Sequence, residues 1–263
     1  MNVEEIKIGA EGGILVGRAY RPGKEYARKG PLLILCHGIP RSNTSPGEKD
    51  SGKDVDGGYP ALAERCTEEG FHCFHFNFRG TGESEGNFSL PGWGRDLIAV
   101  LDYWEKRDIY DSFYLWGFSA GAAVSTYVAS TDQRVKAVAL AACPAEFESL
   151  FTLKDLDGII ARFRTTGIIR DSHFPADPVA WLKGLHSVRP LSYVARISPR
   201  PLFIVHGTGD ELIPYQHALK LFEQAGEPKK LLIIPGAAHQ LRKNREAVSE
   251  CLEWFKNISA GKL

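Results

Sequence analysis

An α/β fold, with a mostly parallel sheet carrying helices on both faces, is predicted by three features of the sequence. Short continuous apolar runs recur along the chain, as they do in strands buried on both faces. Stretches with helical spacing separate those runs, and glycine or proline marks many of the junctions. Alternation of this kind favours parallel strands joined by crossover helices. The 263 residues, 43% of them hydrophobic, suffice for one large core.

Taken in order, the alternating segments 3–8 and 14–20 flank "AEGG" and predict an antiparallel hairpin. "PLLILC" (31–36) is the first strand of the buried kind, and "YPALAERCTEEG" (59–70) is a helix with a glycine stop. "FHCFHFNF" (71–78) is a strand, "WGRDLIAVLDYWEKR" (93–107) an amphipathic helix and "SFYLWG" (112–117) the next strand. An alanine-rich helix then runs to about residue 130, followed by the strand "VKAVALAA" (135–142). The last units are a strand at 201–207, a helix at 215–225, a strand at 230–236 and a helix at 244–256.

Residues 145–196 break the rhythm. They hold two helical patterns (153–164 and 177–186), proline and glycine, and no buried strand. An unstructured loop of that length is improbable inside a compact domain, so this segment is expected to be a helical insertion over one end of the sheet. The expected organisation is a core domain of residues 1–144 and 197–263 with a cap of residues 145–196.

Lys plus Arg and Asp plus Glu both total 32, so no whole-chain field attracts nucleic acid or anionic lipid, and neither is expected as a partner. The acidic "MNVEEIKIGAEGG" does not read as a signal peptide, and no segment approaches about 18 consecutive apolar residues. A cytoplasmic protein is therefore expected. Five cysteines without zinc-ligand spacing read as buried free thiols, although Cys66 and Cys73 could pair.

The chemistry is concentrated in loops that follow strands. In "GFSAG", Ser119 lies where an apolar strand gives way to a helix, and Gly117 and Gly121 remove Cβ atoms that a sharp turn would bring into collision. The bland reading is a serine that merely caps a helix. A serine nucleophile needs a base, and the base needs an orienting acid. His239, in the loop after the last strand ("IIPGAAHQL"), is the candidate base, and Asp210 in "HGTGDELIP" is preferred over Glu211 as the acid. His37 and His206 both end strands in "HG", which suggests a shared structural task of hydrogen-bonding the following loop. His72 and His75 sit within a strand pattern and are expected to pack there. "RGTGESEG" (79–86) lacks the phosphate-loop pattern, so it is read as a turn in which Arg79 and Glu83 bond neighbouring loops.

With these motifs in their predicted places, the chain resembles the α/β-hydrolase superfamily along nearly its whole length. "LCHGIP" is like the oxyanion-side loop, "FNFRGTGESEG" like the loop after the fourth strand, "GFSAG" like the nucleophile elbow, "HGTGDELIP" like the acid loop and "GAAH" like the histidine loop. Within the superfamily it is most similar to small intracellular carboxylesterases, including cinnamoyl and feruloyl esterase-like enzymes. The resemblance implies an α/β-hydrolase fold with an eight-stranded sheet, and a Ser119, Asp210, His239 triad in the chain order of that fold. It implies an oxyanion hole formed by the N–H groups of Ile39 and Ala120, and it calls for no metal or cofactor. The expected activity is hydrolysis of a small-molecule carboxylic ester. Thioester and carbon–carbon bond hydrolysis, and a non-catalytic ligand-binding role, stand as alternatives. Phe163 and Trp181 of the insertion are expected either to line an acyl pocket or only to pack the insertion on the sheet. The loop 39–58 is longer and more polar than in many relatives, and oligomeric state is left open.

Overall fold

The computed structural model describes residues 1–23, 30–40 and 58–262. Most of the polar stretch singled out in the sequence, residues 41–57, lies outside the described residues. The strands are β1 (Asn2–Ala10), β2 (Gly13–Arg21), β3 (Pro31–Cys36), β4 (His72–Phe76), β5 (Ser112–Phe118), β6 (Val135–Ala141), β7 (Leu202–Gly207) and β8 (Lys229–Ile234). They form one eight-stranded sheet in the order β1-β2-β4-β3-β5-β6-β7-β8. The β1–β2 hairpin is antiparallel and β2 meets β4 antiparallel, whereas every pairing from β4 through β3 and β5 to β8 is parallel. The chain is an α/β-hydrolase fold.

The reason lies in which faces of each strand are apolar. In β3, Leu32, Ile34 and Cys36 face one core cluster while Leu33 and Leu35 face the other, all five fully buried. That period of two on a continuously apolar run is what a strand covered on both sides requires. Helices α1 (Tyr59–Glu68) and α7 (Arg245–Ser259) supply one cover through Leu62, Cys66, Cys251, Leu252 and Phe255. On the opposite face lie α2 (Leu90–Glu105), α3 (Ala120–Ala129) and α6 (Gln216–Gln224), through Trp93, Leu97, Trp104, Val124 and Leu221. Fully burying each such side chain contributes about 1.5–3 kcal/mol. The five cysteines are buried free thiols, as read from the sequence.

Helix α2 begins three residues earlier than its apolar spacing predicts. Ser89 caps it, its Oγ accepting from the Gly92 N–H at 3.3 Å, and Pro91 occupies the first turn, where a missing N–H costs nothing. Past Phe76 the Asn77 N–H still bonds the Val16 carbonyl in register with β2, and it is the Phe78 N–H that leaves the ladder for the His37 ring. Between β6 and β7 lie α4 (Leu156–Thr165) and α5 (Pro178–Ser187), the latter capped by Asp177, with short 3-10 turns and no strand. Their Ile159, Phe163, Trp181 and Leu185 join the same cluster as α2 and α3. Among the described residues no helix is long and apolar enough to cross a membrane.

Candidate active site

The six parallel strands run in one direction, so the segments after β3, β5, β7 and β8 leave the same edge of the sheet. This is the edge where ligand crevices form in open α/β sheets. Ser119, Ile39, Asp210 and His239 all lie on those segments.

Ser119 closes β5 and caps α3 with φ 53° and ψ −123°, a conformation that costs a non-glycine residue on the order of 1–3 kcal/mol. The strain is held by hydrogen bonds on both sides. The Ser119 N–H donates to Ala141 O at 2.9 Å, and its carbonyl accepts from the Ala122 and Ala123 N–H groups. Both flanking glycines are required by close approach. A Cβ on Gly117 would stand 2.4 Å from Ala122 Cα, and one on Gly121 would stand 2.2 Å from Cys36 O. Those contacts press α3 against the ends of β5 and β3 and leave Ser119 half-buried at the corner. The opening residue of α3 is Ala120, whose N–H has no intrahelical carbonyl partner and sits at the positive end of the helix dipole. Residue 38 packs over the serine, since a Cβ on Gly38 would be 2.9 Å from Ser119 Cβ and 3.5 Å from its Oγ. Ile39, partly buried, follows directly.

Asp210 and His239 are brought together by two loops stitched across the adjacent strands β7 and β8. Thr208 N donates to Ile234 O, Gly209 N to Ala237 O, and Gly236 N to Thr208 Oγ1 at 2.8 Å. Asp210 Oδ2 then lies 2.7 Å from His239 Nδ1, while Oδ1 accepts from the Leu212 and Ile213 N–H groups at 2.9 Å each. The carboxylate is buried and the imidazole largely so, with 16% of its side chain exposed. Burial alone would raise the Asp210 pKa. Hydrogen bonds from His206, His239 and the Ile213 N–H outweigh that and hold the carboxyl well below the usual range, so it stays ionised. Glu211, the rejected alternative, is exposed.

His206 was not singled out as part of the site by its sequence setting, although the repeated "HG" strand ending was the available signal. Its Nε2 lies 2.9 Å from Ile213 O and 3.2 Å from Asp210 Oδ2, so one N–H is shared between a loop carbonyl and the acid. Bonding of the following loop, the task expected for this histidine, is what is seen. His75 is buried against Tyr20, as its strand setting suggests. Arg79 and Glu83 are structural: Arg79 makes a forked pair with Asp96 of α2 and an ion pair with Glu11 in the β1–β2 turn, and Glu83 bonds Arg18 of β2.

Phe163 and Trp181 meet on Phe88. Phe163 stands edge-on to it at 5.0 Å between ring centres, and the Trp181 indole N–H donates to Phe88 O at 3.0 Å. Both side chains are buried. Among the described residues no cluster of His, Cys, Asp and Glu could hold a metal ion.

Residues 61–262 match the prolyl oligopeptidase family. The "Uncharacterized protein YfhR" of Escherichia coli (strain K12) is 29% identical over 182 residues, which are 68% of this chain and 56% of that protein. The chain spans about half the length of the curated relatives it matches. Among solved structures, the α/β-hydrolase GrgF from Penicillium sp. sh18 aligns with a TM-score of 0.73 at 19% identity, covering 98% of this chain and 99% of its own. Est1E from Butyrivibrio proteoclasticus, solved with ferulic acid bound, aligns at 0.70 and 24% identity, covering 98% and 100%.

Proposed function

The chain belongs to the prolyl oligopeptidase family, within the α/β-hydrolase superfamily, and from there we propose that it is a serine hydrolase cleaving carboxylic esters through an acyl-enzyme on Ser119. The observation that carries this reading is the 2.7 Å bond between an ionised, buried Asp210 and His239, on the same sheet edge as a serine held at positive φ.

In the proposed reaction the Asp210 carboxylate holds the proton of His239 on Nδ1, which leaves Nε2 free as the base. Nε2 takes the Ser119 hydroxyl proton as Oγ attacks the ester carbonyl. The N–H groups of Ile39 and Ala120 receive the developing oxyanion. Collapse of the tetrahedral adduct expels the alcohol, protonated by His239, and leaves the acyl group on Oγ. Water, deprotonated by the same imidazole, then releases the acid and restores the serine. In this proposal residues 145–196 cap the site, with Phe163 and Trp181 behind the acyl group. The substrate is a small-molecule ester, and the five buried thiols suit a reducing cytoplasmic setting.

The test is labelling by a fluorophosphonate together with turnover of a panel of aryl, hydroxycinnamate and thioester substrates. The wild-type chain should label at Ser119 and prefer oxygen esters. Ser119→Ala should lose the label and at least about 10⁴ in turnover while keeping its circular dichroism spectrum. Near-normal turnover in folded Ser119→Ala would overturn the mechanism.

A further inference from the structure

We propose that His37 is a positioning residue, aiming the Ile39 N–H at the reacting carbonyl oxygen by holding the Gly38 carbonyl through its own Nδ1–H. This inference deepens the serine-hydrolase reading above and rests on it.

The protonation of the ring follows from its neighbours. His37 Nε2 lies 3.1 Å from the Phe78 backbone nitrogen, which can only donate. Nε2 must therefore be the unprotonated nitrogen. Thr81 Oγ1 also lies 3.1 Å from Nε2, and its one proton is directed to Phe78 O at 2.6 Å, so it places no competing demand on the ring. Burial pushes the His37 pKa down to about 4, which keeps the imidazole neutral near pH 7, with its single proton on Nδ1.

Among the described residues that proton goes to the neighbouring carbonyl. Nδ1 lies 2.7 Å from Gly38 O, so the ring donates to the carbonyl of the next residue. Among the described residues the cis peptides all precede proline, so the Gly38–Ile39 bond is trans. In a planar trans peptide C=O and N–H point in opposite directions. Fixing Gly38 O towards the imidazole thus turns the Ile39 N–H away from it. The ring itself cannot swing, because Phe78, Trp93 and Tyr59 wall it in at 5.1, 5.2 and 6.1 Å between ring centres. The peptide it holds begins at Gly38, the residue pressed against Ser119. A donor in an oxyanion hole must be aimed before the charge develops, and this chain of contacts does so from the second strand end.

Two amide variants separate the two ring nitrogens. His37→Asn keeps an N–H donor near the position of Nδ1 and loses the acceptor for Phe78. His37→Gln keeps a polar group near Nε2 and loses the donor to Gly38. Each would be assayed for kcat and KM on an aryl ester, with active sites counted by fluorophosphonate. Inhibition by a trifluoromethyl ketone, whose adduct on a serine carries an oxyanion, would be measured in parallel. His37→Gln should lose about 10- to 100-fold in kcat, a part of what deleting a donor costs. It should lose trifluoromethyl ketone affinity to match, with KM within about twofold. His37→Asn should stay within about fivefold of wild type on the same scale. Equal losses in the two variants, a loss confined to KM, or unchanged ketone affinity in His37→Gln would overturn the proposal. Nitrogen-15 NMR of the wild-type imidazole tests it without any substitution: a proton on Nε2 of His37 would also overturn it. Failure of the wild-type chain to turn over esters or take the label at Ser119 is a different result, and it would remove the serine-hydrolase reading beneath.

Discussion

His-Gly closes β7 and directly follows β3, yet the two rings are used in opposite ways. His37 donates from Nδ1 to its neighbour's carbonyl and accepts at Nε2 from Phe78. His206 donates from Nε2 to Ile213 O and Asp210 Oδ2, and its Nδ1 has no hydrogen-bond partner among the described residues. One ring holds a peptide plane next to Ser119. The other holds the carboxylate that orients His239. The same dipeptide at the same sheet edge thus donates from opposite ring nitrogens, because the acceptors within reach decide which N–H is used.

The comparison breaks most easily at the acid. Asp210→Asn removes the charge that both His206 and His239 address, and should cost about 10⁴ in kcat with the fold retained. Glu211→Gln, at an exposed neighbour, should stay within about twofold. Steady-state kinetics on one aryl ester decides between them, and the reverse ranking would move the acid to Glu211. At the other strand end, Ile39→Pro deletes the N–H that the His37 contact aims, and should cost about 10² to 10³ in kcat. Ile39→Ala keeps that N–H and should retain most activity. Equal activity in the two folded variants would take Ile39 out of the oxyanion hole.

A smaller effect appears in stability against pH. Burial lowers the His37 pKa to about 4, against about 6.5 in the unfolded chain. Between those values the unfolded chain binds more protons, so stability rises with pH across the window and is lost as pH falls from about 6.5 to about 4. The span corresponds to about 3 kcal/mol for this one group. His75, lowered to about 3 by burial, adds a slope of the same sign. Urea unfolding of His37→Gln between pH 4 and 7 should therefore show a shallower decline than wild type, with the His75 share remaining. An unchanged slope would mean that His37 is not the neutral buried ring described here.

Much of this molecule was legible in its sequence because the signals are local. The apolar runs of β3, β5, β6 and β7 are strands since a segment buried on both faces has no alternative composition. The helices follow from apolar spacing, and the boundaries that moved, such as the start of α2, did so where a serine cap and a first-turn proline outrank periodicity. Ser119 could be placed on its corner because glycines two before and two after it mark a sharp strand-to-helix turn. The Gly117 contact with Ala122 is local, whereas Gly121 is demanded by Cys36 at the end of β3, which no local signal states. Asp210 and His239 could be located on loops after strands, which is again a local property.

What needed the tertiary structure is everything that depends on which strand lies beside which. No spacing in the chain states that β7 and β8 are neighbours, or that Thr208 and Gly236 tie their loops so that Asp210 meets His239 at 2.7 Å. Nor does the repeated His-Gly reveal that one ring meets a backbone donor from the end of β4 and the other a carboxylate four residues on. Phe163 and Trp181 were recognisably apolar, but only packing shows that both converge on Phe88, more than 70 residues earlier in the chain. Composition and periodicity fix how each segment buries its own surface. The direction of a hydrogen bond between segments distant in sequence is decided only when folding brings its donor and acceptor within reach.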